Sequence, residues 1–586
     1  MTDTDFDTVL KIFKLNDKQR VAATEFGRDV VVTAGAGSGK TSTLVARYVC
    51  LLAKGVSPRR IAAITFTKKA AREMRSRVRE KLIELQQLSA TAEERQIWMD
   101  LSSRMDSARI GTIHSLCTEI IRTHPAEAGV DPRFEVLDEG LAAAYKVQAV
   151  NDSLKQMVEE ERFLPLLRSF SVSGLDGILL DMLDRRLEVD ETFAIPVNNS
   201  TRIANELRQR MAHPYIQGII SEMRGLSYAE MVRDTGETLA PIMSDILDLW
   251  TRAEASLTSG DPITCAMYLY RIRREKLTQR GGTKGSVVKH SFDQLKALFD
   301  ELLNPLTGGK SKDAAPSMEV EEFFEELLPM MREAFNIVHN VYKDLVDSQQ
   351  SLDFDDLEHD AQQLLRHPEI RARWQGELDY VLVDEFQDTN KRQRDIIRAL
   401  TGSPGRLFIV GDMRQSIYRF RRADVTVFSD EQERIDEEGG LRIDLDMTYR
   451  AHEPLLDLTG ELLSLVIGTE TDPDRKYFVP YTSLVANEKV PHEGFNAPHV
   501  EFVIGGGADA ESSRPVAARA LAARLAQFKL DGQVKRWDEV ALLFRAATGF
   551  PAYEDAFESA GISFVTVAGR GFDDRLEVRG LVNILR

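Results

Sequence analysis

The chain has 586 residues, of which 43% are hydrophobic, and a formal net charge of −18. At about 150 residues per domain, this length allows roughly four domains. No run of eighteen apolar residues occurs, the first five residues are mostly polar, and the three cysteines have neither metal-site nor disulfide spacing. We therefore expect a cytoplasmic protein with no membrane segment. The acidic charge argues only mildly against a nucleic-acid partner, because such binding depends on a local basic face.

A glycine-rich turn joins the first predicted strand to a predicted helix. Residues 29–33 predict a short buried strand, and residues 42–49 have the apolar spacing of a helix. The turn between them fits the phosphate-loop template, with Ala34 in place of the template's first glycine. Glycines in such a loop let backbone N–H groups surround a phosphate beside the positive end of the helix dipole. The alternative is a Gly/Ala-rich turn that binds no ligand, and the flanking strand and helix favour the phosphate loop.

The phosphate loop predicts a binding site for ATP and Mg²⁺. We expect Lys40 to contact the outer phosphates and the Thr41 hydroxyl to hold the magnesium ion. Gln19 lies about ten positions before the first strand, and its amide can both donate and accept hydrogen bonds at the edge of adenine. The alternative for Gln19 is a surface helix position. The loop residues predicted to surround the phosphates are Ala34, Gly35, Ala36, Gly37, Ser38, Gly39, Lys40, Thr41 and Ser42.

Two further strand ends carry polar side chains that suit a phosphate backbone. Residues 61–66 predict a second strand, which leads into a helix start capped by Thr67. Residues 110–116, which include His114, resemble the end of a third strand. Thr, Lys, His and Ser side chains at such positions can contact nucleic-acid phosphates. The alternative is that each is a helix cap or a polar residue with partners inside the protein.

The alternation of strand and helix patterns stops between residues 119 and 350, where long helical patterns dominate. An acidic segment, residues 319–326, predicts a solvated helix face. Another segment, residues 271–289, is basic and contains glycines, which predicts a loop. Its cations could be solvated or could contact phosphate, and the sequence leaves both alternatives open.

Strand patterns return at residues 380–383, 407–410 and 441–445, and each ends in a charged or polar cluster. Ligands bind at the carboxyl ends of parallel strands in open α/β sheets. Asp384 and Glu385 directly follow the first of these strands. We expect Asp384 to hold the water shell of Mg²⁺ and Glu385 to orient and deprotonate an attacking water.

Residues 381–389 and 411–421 resemble motifs II and III of the superfamily 1 DNA helicases of the UvrD/Rep/PcrA and RecB/AddA type. The resemblance implies an α/β fold of the P-loop NTPase class, with a RecA-like parallel-sheet motor domain, a large helical insertion and the start of a second RecA-like domain. The other matches follow the order of the family, at Gln19, the phosphate loop, and residues 65–67, 111–115, 353–357 and 448–450.

The resemblance also implies a division into domains, in which a helical subdomain interrupts the first motor domain. In the second motor domain we expect strands at residues 540–545 and 562–567 and a helix at residues 579–586. Subdomain 2B, the rest of domain 2A and in some members a nuclease would follow, so we expect the N-terminal portion of a longer protein. The implied domains are 1A at residues 1–118 and 351–447, 1B at residues 119–350, and the start of 2A at residues 448–586.

The roles of family residues carry over to matching positions of this chain. Gln19 and Tyr449 would hold adenine, by hydrogen bonds and by stacking respectively. Gln415 would sense the γ-phosphate, and Arg450 would stabilise charge there. The implied catalytic residues are Lys40, Glu385, Gln415 and Arg450, and the implied DNA contacts are Thr67, His114, Tyr418, Phe420 and Arg421.

The resemblance implies an ATP-driven motor that moves 3′ to 5′ along single-stranded DNA and separates duplex DNA in repair and recombination. UvrD/Rep/PcrA members tend to have Trp at the position of Phe420, and this difference, with the large insertion, favours the RecB/AddA branch. In that branch a partner subunit of a helicase–nuclease complex is expected. The alternative is a nucleotide-dependent DNA-binding or assembly subunit with a silent motor. The intact catalytic set, together with Asp384, argues against a silent motor.

Overall fold

The computed structural model describes residues 6–193, 199–279, 281–283, 285–303, 318–419, 422–470, 477–490 and 498–567. The chain divides into two compact units. The sheet unit comprises Met1–Gly129 and Leu357–Arg586, and the helical unit comprises Val130–Asp356. Two predicted DNA contacts, Phe420 and Arg421, and the predicted helix at residues 579–586 lie outside the described residues.

The strands of the described residues are β1 (Val30–Ala34), β2 (Ile61–Ile64), β3 (Arg109–Gly111), β4 (Glu135–Val136), β5 (Ser351–Leu352), β6 (Tyr380–Val383), β7 (Leu407–Gly411), β8 (Leu441–Leu445), β9 (Met447–Thr448) and β10 (Val485–Ala486). Six of them form a parallel sheet in the order β3–β2–β6–β7–β1–β8. Short parallel pairs join β9 to β10 and, within the helical unit, β4 to β5. Five of the six strands predicted for this sheet are confirmed, with small shifts at their ends. The third, predicted at residues 110–116, ends at Gly111, because the Thr112 side chain caps a helix that begins at Ile113.

The central strands of this sheet are apolar runs with no exposed side. Val31 of β1, Leu382 of β6 and Ile409 of β7 are fully buried. Continuous apolar runs of this kind are typical of parallel strands that are covered on both faces. β1 pairs with β7 and β8, and β7 pairs on its other side with β6. The carboxyl ends of β1, β6 and β7 therefore lie side by side at one edge of the sheet.

The first helices of the sheet unit begin at polar cap residues or at the phosphate loop. The Thr67 hydroxyl accepts a hydrogen bond from the backbone N of Ala70 at 3.0 Å, which confirms the predicted cap. Thr112 caps the helix that carries His114 in the same way. Lys40 is the first helical residue after the phosphate loop, as the template requires. These helices are α1 (Phe6–Leu10), α2 (Asp17–Thr24), α3 (Lys40–Ala53), α4 (Lys68–Leu88), α5 (Ala92–Ser103), α6 (Ile113–Thr123) and α7 (Pro125–Ala128).

The described residues of the helical unit form two apolar cores. One lies between the helices Glu139–Glu159, Leu164–Asp184 and Met318–Ser348, and the other lies among the helices between Asn199 and Leu298. Glu325 and Glu326 near the start of α17 are exposed, as expected for a solvated acidic face. The helices are α8 (Glu139–Glu159), α9 (Leu164–Asp184), α10 (Arg186–Phe193), α11 (Asn199–Met211), α12 (Pro214–Arg224), α13 (Tyr228–Thr235), α14 (Ala240–Thr258), α15 (Pro262–Arg271), α16 (Val287–Leu298) and α17 (Met318–Ser348).

By length and composition alone, Glu161–Asp184 is the single stretch of the described residues that could cross a membrane. One such helix is weak evidence, because the core helices of other proteins pass the same test. Ser171 interrupts α9 with a φ of 54°, which is not helical. Leu175, Leu179 and Leu183 of α9 are fully buried in the core that this helix shares with α8 and α17. These leucines therefore have apolar partners within the helical unit.

The basic segment at residues 271–289 uses several of its cations inside the protein. Arg273 donates to both carboxylate oxygens of Asp300, at 2.6 and 2.9 Å. Lys276 donates to Asp245 at 2.6 Å. Arg273 and Lys276 are therefore both paired with carboxylates of the same unit. For the described part of the segment, the structure favours this structural role over phosphate contact.

The remainder of the sheet unit contains two predicted strands that do not form. Residues 540–545 and 562–567 make no ladder with any described strand. Leu543 is 96% exposed and Val565 is 88% exposed. A strand needs a hydrogen-bonded neighbour, which the local apolar pattern cannot supply. The helices here are α18 (Phe354–Arg366), α19 (Pro368–Glu377), α20 (Lys391–Thr401), α21 (Val425–Glu437), α22 (Glu453–Ile467), α23 (Ala510–Leu530) and α24 (Phe550–Ser559).

A buried ion cluster in the helical unit surrounds Arg186, whose side chain is 1% exposed. Its guanidinium donates to Asp353 at 2.6 Å, to Asp356 at 2.8 Å and to Asp355 at 3.0 Å. Tyr342 donates its hydroxyl to the second oxygen of Asp353 at 2.5 Å. Burial alone would raise the pKa of Asp353, but the Arg186 charge and these hydrogen bonds lower it to about 2. Ion pairs between Arg186 and these carboxylates therefore hold α10 against the segment at residues 353–356.

Replacement of Arg186 should destabilise the helical unit. Arg186→Met removes the cation at the centre of this cluster and leaves buried carboxylates without compensation, which costs about 3–5 kcal/mol. We expect amide hydrogen exchange in α10 and at residues 351–353 to speed up accordingly. Arg224→Met is the matched control, because Arg224 pairs with Glu254 at a partly exposed site and such pairs contribute about 0–1 kcal/mol. Equal changes in exchange for the two variants would contradict the prediction.

Candidate active site

The phosphate loop runs from the end of β1 to the start of α3 and contains two glycines in the left-handed region. Gly37 has a φ of 76° and Gly39 a φ of 85°. A Cβ atom on Gly37 would lie 2.6 Å from the Thr448 hydroxyl, and one on Gly39 would lie 2.5 Å from the Gln19 amide nitrogen. Both conformation and close contact therefore require glycine here. The loop is held between the residues around Gln19 on one side and residues 448–450 on the other.

Gln19 supports the phosphate loop from a buried position. Its side-chain nitrogen donates to the backbone oxygen of Ser38 at 2.9 Å, and its side-chain oxygen accepts from the backbone N of Asn16 at 2.9 Å. Gln19 is 2% exposed, so the surface alternative is wrong. Each amide atom keeps one further hydrogen-bonding position. The predicted contact of Gln19 with adenine stays a prediction.

Residues 448–450 contact the other side of the loop. The Thr448 hydroxyl donates to the backbone oxygen of Ala36 at 2.8 Å, and the backbone N of Tyr449 donates to the oxygen of Gly37 at 2.9 Å. Asn16 donates its side-chain nitrogen to the Tyr449 hydroxyl at 3.3 Å. Since Asn16 also bonds Gln19, the two residues predicted to hold adenine lie near one another. The contact of Thr448 with the loop was not predicted from the sequence. Its position directly before Tyr449 was a signal that could have indicated it.

Lys40 brings two of the predicted catalytic residues together. Its Nζ donates to Oε2 of Glu385 at 2.8 Å and to Oε1 of Gln415 at 3.1 Å. Arg450, the fourth predicted catalytic residue, is exposed, and its Cβ lies beside Gly37. Thr41 is half-buried and Ser42 is exposed in the first turn of α3. The sheet edge thus places the predicted phosphate ligand next to the predicted base and γ-phosphate sensor.

Two carboxyl groups at this edge, those of Asp384 and Asp388, have raised pKa values. Burial and the nearby Glu385 charge raise the pKa of Asp384 to about 6, against the lowering effect of Lys40. The same two causes raise the pKa of Asp388 to about 7, and Oδ1 of Asp388 has no hydrogen-bond partner among the described residues. A bound divalent cation would favour the charged forms of both groups.

These residues fit a magnesium ion that keeps much of its water. No group of three or more potential side-chain ligands occurs within the described residues. Mg²⁺ is usually held by one or two carboxylates together with waters and phosphate oxygens. Asp384, which directly follows β6, and the hydroxyl of Thr41 on α3 are the residues that would hold such an ion.

Glu385 has a backbone conformation that is unusual for a residue with a side chain, with φ 52° and ψ 47°. Such left-handed positions cost of order 1–3 kcal/mol and are concentrated at functional sites. Gln387 donates its side-chain nitrogen to Oε2 of Glu385 at 2.9 Å. No role for Gln387 was predicted from the sequence, because the pattern of a strand end does not show which way a following amide points.

His114 belongs to a buried hydrogen-bond network. Its Nε2 lies 3.1 Å from Oε1 of Glu358, and the buried Glu358 carboxylate also accepts from Asn390 at 3.0 Å and from Gln393 at 2.5 Å. Burial raises the pKa of Glu358, but these donors, His114 first, lower it below its ordinary value overall. The network joins α6 to the turn that follows Asp388. Glu358 was not predicted, since no motif marks it.

An aromatic pair connects two of the segments predicted to contact DNA. The rings of Tyr418 and Phe66 lie with centroids 4.3 Å apart and planes tilted by 35°. Phe66 directly precedes Thr67, so the end of β2 and the segment after β7 meet here. Thr67 and Tyr418 are therefore brought close together, and Phe66 joins them as a residue that the sequence analysis did not single out.

Replacement of Gly37 should damage nucleotide binding more than a comparable glycine elsewhere. In Gly37→Ala the new Cβ would meet both Thr448 and Arg450 at 2.6 Å, so the loop must move. We expect the affinity for a fluorescent ATP analogue to fall at least about tenfold, or roughly 1.4 kcal/mol. Gly55 has a φ of 94° and no atom within 4 Å of an added Cβ. Gly55→Ala should therefore carry only the backbone cost of about 1 kcal/mol in stability and bind the analogue normally.

Comparison with known proteins places the chain in a family. The family model described as UvrD/REP helicase N-terminal domain matches residues 15–436. The A subunit of the ATP-dependent helicase/nuclease of Listeria welshimeri is 24% identical over 97% of this chain and 50% of the relative. The proteins of that name from Bacillus cytotoxicus and Staphylococcus haemolyticus are each 27% identical, over 78% and 76% of this chain and 39% and 38% of their own lengths.

The chain spans at most about half the length of these curated relatives. The family model matches more than half of this chain. The matched residues include both the phosphate loop and the residues that contact Lys40. The expected fold, a parallel-sheet motor domain with a large helical insertion, agrees with this match. The protein therefore belongs to the UvrD/REP helicase family.

Proposed function

We propose that this protein is the motor part of an ATP-dependent DNA helicase that translocates on single-stranded DNA and separates duplex DNA. The observation that carries the proposal is the contact of Lys40 with both Glu385 and Gln415. A phosphate-binding cation, a candidate base and a candidate γ-phosphate sensor within hydrogen-bonding distance are what phosphoryl transfer from ATP needs. Membership of the UvrD/REP helicase family supports the same activity.

The phosphate loop would bind the phosphates of ATP through its backbone N–H groups and Lys40. Gln19 and Tyr449 would hold adenine, and their shared neighbour Asn16 supports this placement. Arg450 would stabilise charge at the γ-phosphate, since the chain at Arg450 touches the loop at Gly37.

Thr41 and Asp384 would hold Mg²⁺, which when bound neutralises charge on the phosphate oxygens. Glu385 would accept a proton from the attacking water, as a positioned carboxylate can. Lys40 and Gln387 both donate to Oε2 of Glu385, which leaves Oε1 as the oxygen available to a water. Gln415 would sense the γ-phosphate, because Gln415 and Glu385 both accept hydrogen bonds from Lys40.

Single-stranded DNA would pass the surface formed by Thr67, His114 and Tyr418. Bases stack on aromatic side chains without strong sequence preference, which suits a translocating enzyme. Phe66 supports Tyr418 from the side of β2. Phe420 and Arg421, which lie outside the described residues, remain proposed DNA contacts on the resemblance alone. The 3′ to 5′ direction rests on the resemblance to superfamily 1 members.

A role in DNA repair and recombination is the natural extension of this activity. The curated relatives carry the name of the A subunit of a helicase/nuclease, which supports a partner subunit for this protein as well. We place the protein in the cytoplasm, where such enzymes act. The division into domains 1A, 1B and 2A given above is part of this proposal. The alternative, an assembly subunit with a silent motor, would have no need for Lys40, Glu385 and Gln415 in contact.

Lys40 and Glu385 form an ion pair, and substitution of each should have a different effect on ATP binding and on ATP turnover. Lys40→Ala should abolish binding of an ATP analogue, whereas Glu385→Gln should bind it and lose turnover by about 10²–10⁴-fold. The measurement is DNA-stimulated ATPase activity and analogue affinity in the full-length protein. Glu84→Gln changes the same type of residue in an ion pair on α4 and should behave like wild type. Retained turnover in Glu385→Gln would remove the role given to Glu385.

Loss of the Tyr418 ring should weaken DNA binding without affecting nucleotide binding. We expect Tyr418→Ala to reduce affinity for an oligo-dT strand by about 1–3 kcal/mol, because one stacking surface is lost. Affinity for the ATP analogue should stay within about twofold of wild type. Tyr215→Ala is the control, since Tyr215 is 67% exposed and belongs to the helical unit. Unchanged oligo-dT binding by Tyr418→Ala would mean that DNA takes another path.

A further inference from the structure

Five residues at the sheet edge are joined in a closed circuit of hydrogen bonds, here called the Lys40 circuit: Lys40, Glu385, Gln387, Asp412 and Gln415. Lys40 donates to Glu385 at 2.8 Å and to Gln415 at 3.1 Å. Gln415 donates its side-chain nitrogen to Asp412 at 2.8 Å, and the backbone N of Asp412 donates to Oε1 of Gln387 at 2.9 Å. Gln387 closes the circuit by its donation to Glu385 at 2.9 Å.

Gln387 is the member of the circuit that the catalytic scheme does not use. It is 1% exposed and lies in the turn after β6. Its side-chain oxygen is bound to the segment that follows β7, and its side-chain nitrogen is bound to the candidate base. Its own backbone oxygen accepts from the Ser416 hydroxyl at 3.3 Å, which adds a second link to that segment.

The approach of Gln387 to β7 depends on Gly411. A Cβ on Gly411 would lie 2.5 Å from the Gln387 side-chain oxygen. The absence of a side chain at Gly411 therefore lets the buried amide reach the backbone N of Asp412. An amide is also required at Gln387, since it must accept at one atom and donate at the other. Glutamate could accept from Asp412 but could not, when charged, donate to Glu385.

We propose that Gln387 is a positioning residue that holds the Glu385 carboxylate and transmits to it the position of residues 412–418. This segment carries Gln415 and Tyr418, and so it contacts both the ATP site and the DNA path; the inference rests on the proposed function. A shift of the segment when DNA binds at Tyr418 moves the backbone N of Asp412, and the Gln387 amide carries that shift to Glu385. Gln387 thus sets how strongly DNA stimulates ATP hydrolysis, and it contributes little to ATP binding.

The test measures the stimulation of ATPase activity by oligo-dT in the full-length protein. Gln387→Leu keeps the approximate volume of the side chain and removes its three hydrogen bonds, which join it to Glu385, Asp388 and Asp412. We expect kcat with saturating oligo-dT to fall about 10- to 100-fold, since misplacement of a catalytic group by about 1 Å costs a factor of this size. KM for ATP and affinity for the ATP analogue should stay within about twofold of wild type. Gln375→Leu is the control, because Gln375 also donates from a half-buried site, to the backbone of Ala399, outside the circuit.

A second variant tests the donor directly and guards against misfolding. Gln387→Glu should lose stimulation at about pH 8, where the introduced carboxylate cannot donate, and recover part of it relative to wild type as the pH falls to about 6. Gln387→Leu should show no such recovery. A merely structural role of Gln387 would not produce this difference between the two pH profiles.

Each outcome decides between the proposals. Wild-type stimulation in Gln387→Leu, or a change in KM as large as the change in kcat, would overturn the positioning role while leaving the helicase proposal intact. If Gln387→Leu fails to fold, a pH profile of Gln387→Glu parallel to that of wild type would overturn it. A wild-type protein without DNA-stimulated ATPase activity would overturn the proposed function, and the role of Gln387 with it.

Discussion

The register of β1, β6 and β7 decides where the charged groups of the candidate site lie. Val32 pairs with Val410, and Val383 pairs with Ile409, so the three strands end together. Because both faces are covered, a slip of one residue would exchange the side chains that pack on the two faces and would also displace the polar residues beyond the strand end. Specific packing on both faces therefore favours this register, and the register in turn places Lys40, Glu385 and Asp412 within one hydrogen-bonded circuit.

Several carboxyl groups lie close together at this edge of the sheet, where they are partly buried. Asp384 and Asp388 have raised pKa values, and Glu385 adopts a strained backbone conformation. A folded protein does not gain stability from such an arrangement, and perturbed groups of this kind are concentrated at functional sites. Lys40 offsets part of the charge. A bound divalent cation would offset more of it.

The segment after β7 connects the two activities that a motor must combine. At its start, Asp412 and Gln415 belong to the Lys40 circuit, and a few residues later Tyr418 packs on Phe66. A single short segment therefore touches both the ATP-site residues and the aromatic surface proposed for DNA. Under the proposed function, coupling of ATP hydrolysis to DNA would need only the short hydrogen-bonded connection through this segment.

Local patterns in the sequence were sufficient for most strands of the main sheet, for the phosphate loop with Lys40, and for the polar residues at strand ends, including Asp384 and Glu385. These features depend on neighbours in the chain, through apolar runs, turn glycines and helix starts. Other features depend on residues far apart: Thr448 binds the loop across 412 positions, and His114 meets Glu358 across 244. Only the tertiary structure could reveal these pairs, or the role of Gln387 between two strand ends. The prediction of two strands after residue 540 was wrong for the same reason. An apolar pattern indicates a strand, but the strand forms only when a neighbouring strand pairs with it.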